Sequence, residues 1–256
     1  MKKLIFLLSA IWLMLGCSTE ESANVPDGML SKIDVQPFAG SSYVTRFYYN
    51  GHKIDRTESS NNTHKIYYYD GNLIVNVKSY SDTFMHAEER FSYDGTGNLI
   101  QMDRIEYLQD SHSRQRYTYN PDQTLTVHDF QVDASGQEIL SGTRLLSFEN
   151  GRLSTEVVVF EANPTQSIRY QYSYDDKPVP YRDIVGFEKI NAFSPLRYNG
   201  SVNNLIWVEE HASGSAETTT YGTIFTYNEN GMPASSAADD SGTVITDNGS
   251  MSYFYK

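Results

Sequence analysis

Apolar and polar residues alternate along most of this chain in short runs. In one such run Ile168, Tyr170 and Tyr172 share one face, whereas Arg169 and Gln171 share the other. A period of two residues is typical of β-strands with one buried and one solvated face, and the spacing typical of helices is nearly absent. The pattern therefore predicts an all-β fold.

The alternating runs recur as a repeat in which aromatic residues lead to Asn or Asp, then Gly, then an apolar residue that begins the next run. Copies occupy residues 47–54, 67–74, 91–100, 117–125, 146–153, 172–177 and 225–232. Asn-Gly and Asp-Gly accept the positive φ of type I′ turns, so each copy predicts the tip of a β-hairpin. The predicted tips lie at Gly51, Gly71, Gly97, Gln123, Gly151, Asp176 and Gly231, and the long interval after Asp176 implies one further hairpin.

Hairpins in series predict a large antiparallel up-and-down meander of about 14 to 16 strands. Closing such a sheet removes its two unpaired edges, which would otherwise promote aggregation. We therefore expect a closed or nearly closed barrel. Charges in segments 88–90 and 209–211 alternate onto both faces of their strands, and a charge facing lipid costs about 2 to 4 kcal/mol at the bilayer midplane. We expect a soluble barrel rather than a membrane-spanning one.

The N-terminus has the features of an export signal. Lys2 and Lys3 precede an apolar run, residues 4–15, that is too short to span a bilayer as a helix. Residues 14–17 resemble the lipobox of bacterial lipoproteins, which implies that Cys17, the only cysteine, is acylated and becomes the first residue. We expect a signal peptide at 1–16, a lipidated N-terminus and flexible tether at 17–36, and a single barrel domain at 37–256.

Two resemblances cover most of residues 40–256. The repeat resembles the YD repeats of rearrangement-hotspot proteins, whose strands wrap into shells. The whole layout, including segments 175–181 and 203–205, is similar to a Bacteroidota lipoprotein family of unknown function with a porin-like β-barrel fold, some members of which are described as lipid-binding. Residues 18–21 resemble the acidic signal that directs such lipoproteins to the outer face of the outer membrane. The resemblance implies a lipid anchor in the outer membrane that faces the cell exterior, with the periplasmic face as the alternative.

Composition and motifs argue against several classes of function. The net charge of −12 disfavours nucleic acid as a partner, because phosphate binding requires clustered Lys and Arg. The six histidines are scattered, and no nucleophile, nucleotide or zinc motif is present, so we expect no metal, no cofactor and no enzymatic activity. Carboxylates from distant strands leave a glycoside hydrolase open as a third hypothesis.

Segment 177–204 breaks the repeat, since it carries three prolines and is too long for a hairpin turn. Long irregular segments in compact domains often form lids or binding loops, and the alternative is a plug that only fills space. We expect any ligand to lie between this segment and Trp207, in contact with Tyr181, Phe187, Phe193, Tyr198 and Trp207. The first hypothesis is a surface-tethered, non-catalytic module that binds a lipid in the barrel or a glycan, and the alternative is a structural or interaction protein of the envelope.

Overall fold

The chain forms a closed antiparallel up-and-down barrel of sixteen strands. The computed structural model describes residues 25–193, 200–239, 243–244 and 249–256. The elements are β1 (Leu30–Gln36), β2 (Tyr43–Asn50), β3 (Lys53–Ser59), β4 (Thr63–Asp70), β5 (Leu73–Ser81), β6 (Phe84–Tyr93), β7 (Leu99–Glu106), β8 (Ser111–Tyr119), β9 (Leu125–Val132), β10 (Glu138–Glu149), β11 (Arg152–Phe160), β12 (Asn163–Pro178), α1 (Phe187–Asn191), β13 (Asn203–Ala212), β14 (Thr218–Tyr227), β15 (Pro233–Ala238), β16 (Thr243–Val244) and β17 (Ser250–Tyr255).

The first strand closes the ring. On β1, Ile33 lies opposite Thr45 of β2 on one side and opposite Tyr253 of β17 on the other. The two-residue β16 is additional to the sixteen barrel strands. It pairs with β14 beyond the end of the short β15. The all-β meander and its closure are thus confirmed. β1 begins at Leu30 and is part of the wall, so residues 30–36 of the expected tether lie in the barrel.

The hairpin tips are formed by the predicted residues, with one exception. Gly51 and Gly71 have φ of 60° and 53°, while the residue after each is not at positive φ, so these two tips are not the expected type I′ turns. At Asn150 and Gly151 both residues have positive φ, as type I′ requires. The tip predicted at Asp176 was wrong, since β12 continues through it to Pro178.

The tyrosines of the repeat explain how successive hairpins are joined. A β-bulge in the strand before most tips disturbs the ladder, and the tyrosine beside it points into the barrel. Tyr93 and Tyr174, which lie beside such register shifts, and Tyr119, whose strand pairs without one, each donate a hydroxyl hydrogen to a main-chain carbonyl about one hairpin earlier: Tyr93 to Ile74 at 2.7 Å, Tyr119 to Leu99 at 3.2 Å and Tyr174 to Leu153 at 2.9 Å. The acceptors belong to the apolar residues that follow the tips, whose side chains are at most 2% exposed. The Tyr-rich composition therefore provides a belt of hydrogen bonds at one end of the barrel.

An ion-pair network occupies the lumen on the side of β8 to β12. Arg144 is bonded to both carboxylate oxygens of Asp129, at 2.8 and 3.1 Å, and to Glu156 at 3.1 Å. Burial opposes the charge of Arg144, but the two carboxylates outweigh it and raise its pKa. Tyr172 donates to Glu156 at 2.6 Å, and burial together with that carboxylate raises the tyrosine's pKa. Arg144, Asp129 and Glu156 thus compensate one another's charges in this half of the lumen.

The segment between β12 and β13 folds into the end of the barrel at the tyrosine belt. We call residues 179–193 and 200–202 the plug. Its Val185 N–H donates to the carbonyl of His52 at 3.0 Å, and its Val185 carbonyl accepts from Tyr69 at 3.2 Å. Gly186, at φ 76°, passes so close to the Gly71 turn that a Cβ there would lie 2.5 Å from the Asn72 carbonyl oxygen. The plug is therefore seated on the hairpin tips.

A polar clasp holds the two ends of the plug together. Asp175 on β12 accepts from the main-chain N–H and the side-chain amide of Asn204 on β13, at 3.1 and 3.0 Å, and also from the hydroxyl of Tyr227. The Asn204 amide also donates to the carbonyl of Pro178 at 3.2 Å and is fully buried. These contacts explain why β12 runs past the position at which the local sequence predicts a turn.

The tyrosine belt predicts a measurable cost for each lost hydroxyl. Tyr93→Phe leaves the Ile74 carbonyl without its donor, which we expect to lower the free energy of unfolding by about 1 to 3 kcal/mol in urea titrations followed by circular dichroism. Tyr68→Phe is the matched control, because Tyr68 is 42% exposed on the outer wall, and we expect a change below about 0.5 kcal/mol. Equal stability of the two variants would contradict the role of the belt.

The lumen network predicts a larger loss. Arg144→Met leaves Asp129 and Glu156 charged and unpaired in the interior, which we expect to cost about 3 to 5 kcal/mol of unfolding free energy. Arg169→Met, on the exposed face of β12, serves as the control and should change stability by less than about 0.5 kcal/mol. A near-neutral Arg144→Met would show that the network contributes no net stability.

Candidate functional site

A pocket of about 380 Å³ lies in the half of the lumen that the ion-pair network does not fill. Its wall is made by β1 to β6 and β17, and it reaches from the plug to the rim of the barrel at Asn61. The plug forms its floor with Tyr181 and Phe187, whose rings stack with their centroids 5.0 Å apart. Phe47 of β2 lies beside them, 6.3 Å from the Tyr181 ring.

The lining combines apolar and hydroxyl-bearing side chains. Aromatic residues prevail near the plug, with Phe47 and Tyr67 on the wall, and the apolar residues Ile33, Val35 and Met251 of β1 and β17 continue the lining toward the rim. Hydroxyl-bearing side chains are added from β2 to β5, namely Thr45, Thr57, Ser59, Thr63 and Ser79. An apolar body with convergent polar groups is the usual chemistry of small-molecule sites.

The charge of the pocket differs from that of the chain. Lys65 is part of the lining, and among the described lining residues there is no Asp or Glu, although the chain carries a net charge of −12. Three carboxylates of the lumen lie outside this lining and are paired with arginines, Glu89 with Arg104 at 2.8 Å and Asp129 and Glu156 with Arg144. The described part of the chain contains no group of three His, Cys, Asp or Glu side chains suited to a metal ion.

The structure brings together two of the five residues expected at a ligand site. Tyr181 and Phe187 meet on the floor of the pocket. Phe193 lies on the far side of the lumen, where its ring packs 5.3 Å from Tyr117 and 6.1 Å from Phe148, and it is not in the lining. Tyr198 lies outside the described residues, as does Cys17, the expected site of acylation.

Trp207 is on the opposite side of the wall from the plug. It pairs with Ser173 and Gly222, whereas the buried inward residues Tyr172 and Val208 form the next pair along the two strands. A register shift between Ser173 and Tyr174 determines which residues of the two strands face inward. The ring of Trp207 lies over Gly222. Trp207 is therefore not in the lining of this pocket, and a ligand contact at Trp207 stays a prediction.

The polar residues of the pocket were not among the predicted site residues. Lys65 and Tyr67 of β4 are separated by one residue and share a face, so the period of two already places a lysine beside inward aromatics. That signal was available in the sequence. The pairing of β4 with β3 and β5, which brings Thr57 and Ser79 beside Lys65, required the register.

Charged and hydrogen-bonded side chains cover much of the outer wall. Glu88 accepts from Arg90 at 2.7 Å, from Asn76 at 2.8 Å and from Tyr107 at 3.0 Å, and these bonds, that of Arg90 first, lower its pKa to about 2. Asp103, Arg114 and Glu138 continue the ion pairs onto neighbouring strands. No helix within the described ranges is both long enough and apolar enough to cross a bilayer.

Comparison with solved structures places the fold beside porin-like proteins. A porin-like protein from Bacteroides vulgatus matches with a TM-score of 0.60 at 13% sequence identity, over 89% of this chain and 98% of that one. A porin-like protein from Bacteroides uniformis matches with a TM-score of 0.48 at 11% identity, over 91% and 100% of the two chains. No protein-family model matches the sequence, and no curated protein matches it. The chain thus has the barrel fold of the B. vulgatus porin-like protein over nearly the whole length of both.

Proposed function

We propose that this protein is a non-catalytic binding barrel of the bacterial envelope, which takes a small hydrophobic or amphipathic molecule into its lumen. The observation that carries the proposal is the pocket of about 380 Å³ between the plug and the rim. Its volume falls within the range of about 300 to 1,000 Å³ that is usual for small-molecule sites.

The lining favours a lipid-like ligand over a glycan. The aromatic floor of Tyr181 and Phe187 lies at the bottom of the pocket rather than on an exposed platform. Several aromatic rings of the outer wall are covered by cations, with Arg56 over Tyr48 at 4.0 Å and Lys32 over Phe254 at 3.8 Å. Sugar rings stack on open aromatic faces, whereas apolar chains enter enclosed apolar space.

The arrangement of carboxylates supports a binding role over glycoside hydrolysis. A hydrolase of that class requires two carboxyl groups facing a substrate across an open cleft. Here the lumen carboxylates Glu89, Asp129 and Glu156 are bonded to arginines. The pocket wall, over the described residues, is free of carboxylates.

A tether at Cys17 would give the barrel a definite orientation. Residues 25–30 and Lys256 lie at the plug end, where Gly28 N–H donates to the Lys256 carbonyl at 2.7 Å and Tyr49 donates to Leu30. An acyl group on Cys17 would hold that end near the outer membrane and direct the rim at Asn61 away from it. The ion pairs of the outer wall support a barrel surrounded by water, and the acidic chain is not suited to nucleic acid.

Native mass spectrometry tests the proposal on residues 18–256, which contain every described element. We expect gently purified protein to carry an adduct of a few hundred daltons that is removed by organic extraction. Ser59→Trp places a large ring in the pocket and should abolish the adduct, because Ser59 lines the wall. Thr118→Trp, on the exposed face of β8, is the matched control and should retain it.

Two results would contradict the proposal. A bare chain mass in every preparation would remove the constitutive carrier role, and an adduct that survives in Ser59→Trp would place the bound molecule elsewhere. Circular dichroism of both tryptophan variants checks that the barrel is intact.

A further inference from the structure

One wall of the pocket carries a row of three hydrogen-bond donors on adjacent strands. Thr57 of β3 lies directly opposite Lys65 of β4, and Lys65 lies directly opposite Ser79 of β5. Side chains in such pairs have Cβ atoms about 4.5 to 5.5 Å apart. All three line the pocket, so two hydroxyls flank one ammonium group on the same surface.

The donors of this row have no protein partner within the described structure. Thr57 and Ser79 are 7% and 8% exposed, and neither hydroxyl makes a hydrogen bond to a described residue. Lys65 is half-buried and forms no ion pair with any residue that the structure describes. By contrast, Arg104 and Arg144 on the same inner surface are each paired with two carboxylates.

The Lys65 ammonium group and the hydroxyls of Thr57 and Ser79 face the pocket, so an anion bound there would supply acceptors for all three donors. The wall supplies no anion, because none of its described lining residues is acidic. The apolar residues Phe47, Val35 and Met251 lie on the same lining, so the complementary ligand has one anionic end and one apolar body.

We propose that the pocket selects amphipathic organic anions, with a carboxylate or sulfate group on the Thr57–Lys65–Ser79 row and an apolar chain against Phe47 and the plug. This inference rests on the proposed function and names the ligand class of the same pocket. Lys65 supplies the charge, and Thr57 and Ser79 donate hydrogen bonds to the oxygens of the anionic group. Charge-assisted hydrogen bonds of this kind are stronger than neutral ones.

Calorimetric titration with four probes that share one chain tests the selection: decanoate, decyl sulfate, decanol and decyltrimethylammonium. For residues 18–256 we expect decanoate and decyl sulfate to bind at least about tenfold more tightly than decanol, and the cation to bind most weakly. Lys65→Met should lower the affinity for both anions about tenfold and leave decanol unchanged.

Controls separate the row from general electrostatics and from misfolding. Lys78→Met removes the same charge from the outer face of the adjacent strand, where Lys78 lies 5.3 Å from the Tyr68 ring, and should leave all affinities unchanged. Thr57→Val keeps the side-chain shape and should weaken anion binding while the charge is intact. If Lys65→Met fails to fold, Lys65→Gln and Thr57→Val provide the same comparison.

The outcomes distinguish this inference from the proposed function. Equal binding of decanol and decanoate by the wild-type chain, or unchanged anion preference in Lys65→Met, would overturn anion selection and leave a lumen carrier of apolar molecules. Failure of all four probes would overturn anion selection as well. An extractable adduct in the native protein would then still support the proposed function, and its absence would remove both.

Discussion

The structure depends on one geometric constraint: a ring of sixteen strands encloses more space than its inward side chains can fill by apolar packing alone. Small barrels are filled by side chains, and wide ones keep a channel or a plug. In this chain different parts of the lumen are occupied in different ways. Ion pairs around Arg144 occupy one half of the lumen, the plug closes the end at the hairpin tips, and the space that is left is the pocket.

The division has consequences for both stability and recognition. Charges on the network side are matched within the protein, so that side is part of the framework. On the pocket side Lys65 and its neighbouring hydroxyls have no partner among the described residues, and we propose that a bound molecule supplies it. The tyrosine belt beneath both halves connects successive hairpins and forms the seat of the plug.

Most of the fold could be predicted because its signals are local. The period of two and the turn residues at Gly51, Gly71 and Gly151 act over a few residues, and they led to the correct class, closure and range of strand number. The prediction failed at Asp176, where the neighbouring Asp175 is bonded to Asn204 on the next strand. A contact between residues so far apart in the sequence cannot be predicted from the local pattern.

The site was less predictable, because it depends on register. Tyr181 and Phe187 were recognised since they lie in the segment that interrupts the repeat. Trp207 lies outside the pocket lining because a register shift decides which face of β13 it occupies. Thr57 and Ser79 could not be recognised from the sequence, because only strand pairing places them beside Lys65.

Thiol accessibility inside the lumen tests the central claim most directly. Because Cys17 is the only cysteine, Ser79→Cys and Ser236→Cys in residues 18–256 each carry a single thiol. Ser79 lines the pocket, whereas Ser236 is 2% exposed on the inner face of β15 and outside the lining. The account predicts rapid reaction of Ser79→Cys with a small methanethiosulfonate that carries a sulfonate, and protection of Ser236→Cys. Equal protection of the two thiols would show that the lumen is filled and would contradict the account.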